Sequence, residues 1–138
     1  MADDPDPPDR DATAGAAAPP FKSRGGLQRV WNAMGYSLAG LRAAFRHEAA
    51  FRQELALGIP LVLLVPWLAP GRWQALAMAG SVVLVWVVEL LNSAIEALAD
   101  AVSAERHPLL GRAKDLGSAA VLFCLLQVPV VWAVVLWP

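Results

Sequence analysis

The chain has 138 residues, of which 57% are hydrophobic and 17% are charged, so one compact unit is expected and a soluble protein is not. The formal net charge of -1 is unevenly divided, because the first twenty residues contain five Asp and one Arg while the rest is net positive. The only cysteine, Cys124, lies in an apolar segment, which excludes an internal disulfide and favours a packing role over a reactive thiol.

The N-terminal region, residues 1–24, is acidic and rich in proline and alanine. It lacks both the basic start and the apolar segment of a signal peptide. We expect a disordered, solvated tail here, and a membrane-integral domain over residues 25–138.

The first predicted helix covers about residues 26–47 and is amphipathic and basic. Its apolar face carries Leu27, Val30, Trp31, Met34, Leu38, Leu41 and Phe45, and its polar face carries Arg29, Asn32, Arg42 and Arg46. Basic residues opposite Trp and Phe are typical of a helix that lies in the membrane interface. The alternative is a core helix of a soluble domain, which the apolar segments that follow disfavour.

Three membrane spans are predicted next, over about residues 52–69, 73–103 and 114–137. Each is long enough to cross a bilayer core, which takes about 20 apolar residues. Pro60 and Pro66 predict a kink in the first span, and the short turn PGRW makes the second span antiparallel to it. No strand signal or heptad series is present, so the predicted fold is an all-α integral membrane protein.

Basic residues near the spans predict the orientation in the membrane. The turn between the first two spans has only Arg72, whereas the other side of the membrane collects the remaining basic residues near the spans: Lys22, Arg24, Arg29, Arg42, Arg46, Arg52, Arg106, Arg112 and Lys114. The positive-inside rule therefore places the N-terminus and the loop after the second span in the cytoplasm.

The second span carries a polar stripe. Relative to Glu89 at 100° per residue, Asn92 lies near about -60°, Ser93 near about +40°, Glu96 near about -20° and Asp100 near about +20°. Glu89 lies about 24 Å along the helix from Trp73, at the inner edge of the hydrocarbon layer. The stripe therefore leaves the membrane on the cytoplasmic side.

Carboxylates at this depth are costly and repel one another, so a compensating partner is expected. One possibility is pairing with Arg or Lys of neighbouring helices for packing alone. The other is a bound cation: Glu48, one of two acids with Glu54 in HEAAFRQE, is the natural partner of Glu96 for Mg²⁺ together with a nucleotide phosphate. Zinc is disfavoured, since the two histidines, His47 and His107, have no zinc-site spacing.

Four motifs carry a family resemblance: GYSLAGLRAAF (35–45), EAAFRQE (48–54), VELLNSAIEALAD (88–100) and GRAKDLGSAAV (111–121). In order and spacing they resemble the bacterial membrane-integral diacylglycerol kinase family. The resemblance extends from about residue 25 to the end. It implies a homotrimer in the bacterial inner membrane, with one interfacial helix and three spans per subunit and with active sites shared between subunits. It also implies transfer of the ATP γ-phosphate to a lipid hydroxyl.

The resemblance also implies roles for individual residues. Glu89 would be the general base, Asn92 would orient Glu89 or the phosphate, and Glu48 and Glu96 would hold the Mg²⁺ of MgATP. Residues matched to the nucleotide site are Arg29, Tyr36, Glu48, Glu96, Glu105, His107, Lys114 and Asp115. Those matched to the lipid are Ser37, Gln53, Glu54, Glu89 and Ser118.

The resemblance leaves the lipid acceptor open between diacylglycerol and undecaprenol, since both present a hydroxyl at the interface. EAAFRQE and GRAKDLGSAAV favour diacylglycerol. The connection that contains Glu105 and His107 departs from the expected family pattern. A non-catalytic protein whose polar stripe assembles subunits is the alternative of another class, and no nucleic-acid partner is expected.

Overall fold

A computed structural model of the chain describes residues 26–102 and 107–137. It contains four α-helices in the order α1 (Gly26–His47), α2 (Ala49–Leu68), α3 (Arg72–Val102) and α4 (Pro108–Leu136). These described residues include no strand, and the predicted all-α fold is confirmed. The predicted N-terminal tail and Glu105 lie outside the described residues.

Three of the four helices, α2, α3 and α4, are long and apolar enough to cross a membrane. Helix α4 begins at Pro108, well before the start near residue 114 suggested by the end of the charged segment. The reason is local: proline is suited to the first turn of a helix, and the Nδ1 of His107 accepts a hydrogen bond from the Leu109 N–H at 3.3 Å. The cap, rather than hydropathy, sets this boundary.

A corner at Glu48 separates α1 from α2. Its extended backbone (φ -99°, ψ 112°) ends one helix, and the Glu48 N–H donates to the Ala44 carbonyl at 2.9 Å. An Arg52 guanidinium N–H then donates to the Phe45 and Arg46 carbonyls at 3.1 and 3.3 Å. Because these carbonyls have no partner within the helix, the arginine stabilises the end of α1 and fixes Glu48 at the corner.

Helix α3 lies at the centre and packs against both α2 and α4. Met78 of α3 is fully buried, and its carbonyl accepts hydrogen bonds from the Ser81 hydroxyl at 2.7 Å and from the Trp132 indole N–H of α4 at 3.3 Å. On the other side, Gly58 of α2 lets the Trp86 ring of α3 approach closely. These contacts hold α3 against both neighbours and thereby fix the rotation of its polar stripe.

Large apolar side chains nevertheless cover much of the outer surface, Leu63, Trp67 and Phe123 among them. An apolar surface of this extent is incompatible with water and suits lipid or other subunits. Within α1, residues 26–36 belong to a separate structural unit. Its apolar Trp31 and Met34 are exposed, in keeping with the amphipathic pattern.

Candidate functional site

The polar stripe of α3 runs from the interior of the helix bundle to its surface. Glu89 and Asn92 are buried, with 4% and 8% of their surface exposed, and Glu96 is half-buried. Two turns beyond Asn92, the Asp100 side chain is 71% exposed. These groups share one face of the helix, and their solvent exposure increases along it from Glu89 to Asp100.

Acidic side chains from two helices converge on Glu89. The charges of Glu96, about two turns further along α3, and of Glu48, at the corner before α2, both act on its carboxylate. The charge of Glu89 in turn acts on Glu54 of α2. Four carboxylates thus share one region between α2 and α3, where their mutual repulsion favours binding of positive charge.

Asn92 connects this acidic region to α4. Its Nδ2 donates a hydrogen bond to Glu96 Oε1 at 3.0 Å, while its buried Oδ1 has no hydrogen-bond partner. The sequence led us to expect that Asn92 orients Glu89 or a phosphate, whereas its partner in the structure is Glu96. The oxygen points at Gly117 of α4, which is also buried.

Lys114 of α4 pairs with Asp100, with 2.5 Å between Nζ and Oδ1. The charge of Glu96 also acts on this lysine. Packing by ion pairs, the first of the two expectations for the stripe, therefore applies to Asp100. It does not extend to Glu89, which no ion pair reaches within residues 26–102 and 107–137.

Glu54 is one of the residues that line an apolar cavity of about 170 Å³ between α2, α3 and α4. Its Oε2 is buried without a hydrogen-bond partner, and its backbone carbonyl accepts from the Trp86 indole N–H at 3.2 Å. The cavity walls include Gly58, Trp86 and Leu125. The sequence assigned Glu54 to a lipid site but gave no role to Trp86 or Gly58; a glycine inside a helix is the signal that marks such a close approach.

The other predicted site residues are spread over the surface. Gln53 of α2, Asp115 and Ser118 of α4, His107 and Ser37 are exposed. Arg29 and Tyr36 are exposed on the first unit. The structure thus brings together Glu48, Glu54, Glu89, Asn92 and Glu96, with Lys114 alongside.

Mg²⁺ is the cation that the sequence leads us to expect beside these carboxylates. Within the described residues, no group of three or more His, Cys, Asp or Glu is arranged to enclose a metal. Mg²⁺ commonly binds instead through one or two carboxylates plus phosphate oxygens and water. Glu48, at the corner before α2, and Glu96 of α3 both act on the charge of Glu89, and the chemistry of these two carboxylates fits that smaller, all-oxygen set.

Comparison with known proteins gives consistent matches. Residues 35–136 match the family described as prokaryotic diacylglycerol kinase. The diacylglycerol kinase of Pseudomonas aeruginosa is 51% identical over 117 residues, which cover 85% of this chain and 95% of the relative. Those of Escherichia coli K12 and Haemophilus influenzae are 46% and 45% identical over 112 residues, covering 81% of this chain and 92% and 95% of the relatives. The similarity includes α2, α3, α4 and the second half of α1.

Proposed function

Since this chain belongs to the prokaryotic diacylglycerol kinase family, we propose that it transfers the γ-phosphate of ATP to the free hydroxyl of diacylglycerol. The products are phosphatidic acid and ADP. The protein is a lipid kinase, and the names of its relatives favour diacylglycerol over undecaprenol as the acceptor.

The buried Glu89 is the observation that carries the residue assignment. Its carboxylate has no basic partner in the described part of the chain and lies among the charges of Glu48, Glu54 and Glu96. Burial and repulsion both oppose the charge of a carboxylate in such a position and make it costly. A functional role explains why such a residue is kept there. Accepting a proton from the substrate, once positive charge is bound nearby, is such a role.

Glu89 acts as the general base in this proposal. It accepts the proton of the lipid hydroxyl as the hydroxyl oxygen attacks the γ-phosphorus, the new O–P bond forms, and the bond from phosphorus to the ADP oxygen breaks. Phosphoryl transfer depends mainly on positioning and charge stabilisation, so helix faces suffice without a glycine-rich phosphate loop. The depth of Glu89 suits a diglyceride hydroxyl, which lies at the glycerol layer.

The phosphates are held from the cytoplasmic side of Glu89. Glu48 and Glu96 would bind Mg²⁺, which supplies neutralisation of the phosphate charge when bound. Lys114 exchanges Asp100 for a phosphate oxygen as nucleotide binds, since its ammonium group already faces the stripe. Arg29, Tyr36, Glu105, His107 and Asp115 complete the nucleotide site by resemblance, and Ser37, Gln53, Glu54 and Ser118 the lipid site.

The setting is the inner membrane of a bacterium, supported by the bacterial relatives and by three apolar helices. The N-terminus is cytoplasmic by the distribution of basic residues. α1 lies in the interface, and three copies form a homotrimer with shared sites. Cross-linking of the purified protein in detergent tests the trimer independently of activity.

The test of function is a lipid kinase assay with purified protein in mixed micelles. Diacylglycerol and undecaprenol are supplied separately with labelled ATP, with and without Mg²⁺. We expect labelled phosphatidic acid, formed only with Mg²⁺. Faster labelling of undecaprenol would identify the acceptor as polyprenyl, and no ATP consumption with either alcohol would favour the non-catalytic assembly protein.

A further inference from the structure

Gly117 of α4 packs against Asn92 of α3 in a way that only glycine allows. A Cβ built on Gly117 overlaps Asn92 Oδ1 and lies 3.3 Å from Asn92 Cγ, so the amide oxygen occupies the space where any other side chain would begin. Ile95 Cδ1, at 3.7 Å from the same point, closes one side. The oxygen has no hydrogen-bond partner.

A glycine at this place has a cost that packing must offset. In the middle of a helix, glycine is about 1 kcal/mol less favourable than alanine. Helix α4 already contains alanines on either side of this turn, at Ala113 and Ala119, so the chain does not avoid them. The absence of a Cβ at residue 117 therefore matters because it leaves room for the Asn92 amide.

The amide group transmits this contact to the acidic region because it is planar. Once Oδ1 is seated at Gly117, the nitrogen on the opposite side of the same plane is directed away from α4. There it donates to Glu96 Oε1 at 3.0 Å. One oxygen of Glu96 is then held and the other stays available, so the position of an α4 backbone atom determines the orientation of an α3 carboxylate.

We propose that Gly117 is a positioning residue for phosphate and cation binding, acting through Asn92 on Glu96. This inference rests on the proposed function, because it takes Glu96 as a ligand of the Mg²⁺ that accompanies ATP. With a side chain at residue 117, Asn92 has to rotate out of its seat, and Glu96 loses the donor that fixes it. Glu96 then has to be ordered at the moment of binding, which weakens binding of the Mg-nucleotide more than it slows the transfer step.

The experiment compares Gly117→Ala with Gly111→Ala, the same exchange in the same helix at a position where a Cβ meets nothing within 4 Å. Diacylglycerol phosphorylation is measured at varied MgATP and varied free Mg²⁺, with unfolding in detergent as a check on the fold. We expect Gly117→Ala to raise the KM for MgATP about tenfold, as loss of one hydrogen bond to a charged group does, while kcat at saturation changes little. Gly111→Ala should match the natural protein.

A double variant separates positioning from general packing. When Asn92→Ala is already present, the added methyl group of Gly117→Ala meets no amide and has no amide to displace. The double variant should therefore have the KM of Asn92→Ala alone. Additive effects, an unchanged KM in Gly117→Ala, or a loss confined to kcat and unfolding would overturn the inference. The proposed function fails separately, if the natural protein itself does not phosphorylate diacylglycerol.

Discussion

Replacing Gly58 with alanine should loosen the contact between α2 and α3 that holds Glu54 in place. The ideal Cβ at residue 58 lies 2.7 Å from Trp86 Cζ2 and 2.8 Å from Val82 Cγ1, both inside normal contact distance. Neither neighbour yields easily, because Val82 is branched at Cβ and the Trp86 indole N–H is fixed to the Glu54 carbonyl at 3.2 Å.

The magnitude follows from three contributions. Overpacking of this kind costs about 1–3 kcal/mol, and a hydrogen bond between membrane helices contributes about 0.6 kcal/mol where it is lost. Alanine recovers about 1 kcal/mol through its higher helix propensity. The net effect is a loss of about 0.6–2.6 kcal/mol in the free energy of unfolding, whereas Gly111→Ala, which meets no neighbour, should be neutral or stabilising.

Unfolding by a denaturing detergent titrated into mixed micelles measures this difference. A double-mutant cycle with Trp86→Phe adds a second check. Because the smaller ring makes room for the new methyl group, the double variant should lose less unfolding free energy than the two single variants lose together. Gly58→Ala that unfolds at the same detergent fraction as Gly111→Ala, or additive losses in the cycle, would refute the close-packing argument.

Two further predictions concern the charged groups. Glu48→Ala and Glu96→Ala should each raise the Mg²⁺ concentration required for half-maximal phosphorylation, because each removes one carboxylate of a two-carboxylate set; unchanged Mg²⁺ titrations for both would contradict the metal assignment. Asp100→Asn should lower the KM for ATP by a few-fold at most, since it releases Lys114 from a partly exposed ion pair before nucleotide binds; a raised KM would show that Asp100 orients the lysine instead.

Much of the fold follows from the sequence because the signals are long and redundant. The apolar segments around Leu63, Val85 and Leu126 each extend over several turns, so the presence of α2, α3 and α4 does not depend on any single residue. The end of a helix depends on one or two residues instead. Because of Pro108 and the His107 cap, α4 therefore starts earlier in the chain than hydropathy suggested.

The site was predictable where helical spacing decides it and not where two helices meet. The spacing of Glu89, Asn92 and Glu96 places them on one face of a helix whatever lies opposite. What lies opposite depends on the rotation and depth of α4, which local sequence does not contain. Gly117 was part of a recognisable motif and still had no role until the structure put it against Asn92.

The resemblance to a family supplied the reaction, and the geometry of this chain supplied constraints on it. The structure distinguishes Asp100, which has a lysine partner, from Glu89, which has none in the described part of the chain. It also gives Asn92 a carboxylate partner that the motif alone did not identify. These distinctions are what make the assignment of roles testable residue by residue.

The most direct measurement is the turnover of Glu89→Gln with diacylglycerol and MgATP in mixed micelles, alongside MgATP affinity of the same preparation. The exchange preserves size but removes the negative charge and, with it, the ability to accept a proton, so turnover should disappear while the nucleotide still binds. Full turnover by a properly assembled Glu89→Gln protein would contradict the account, because the transfer would then proceed without the carboxylate around which the site is built.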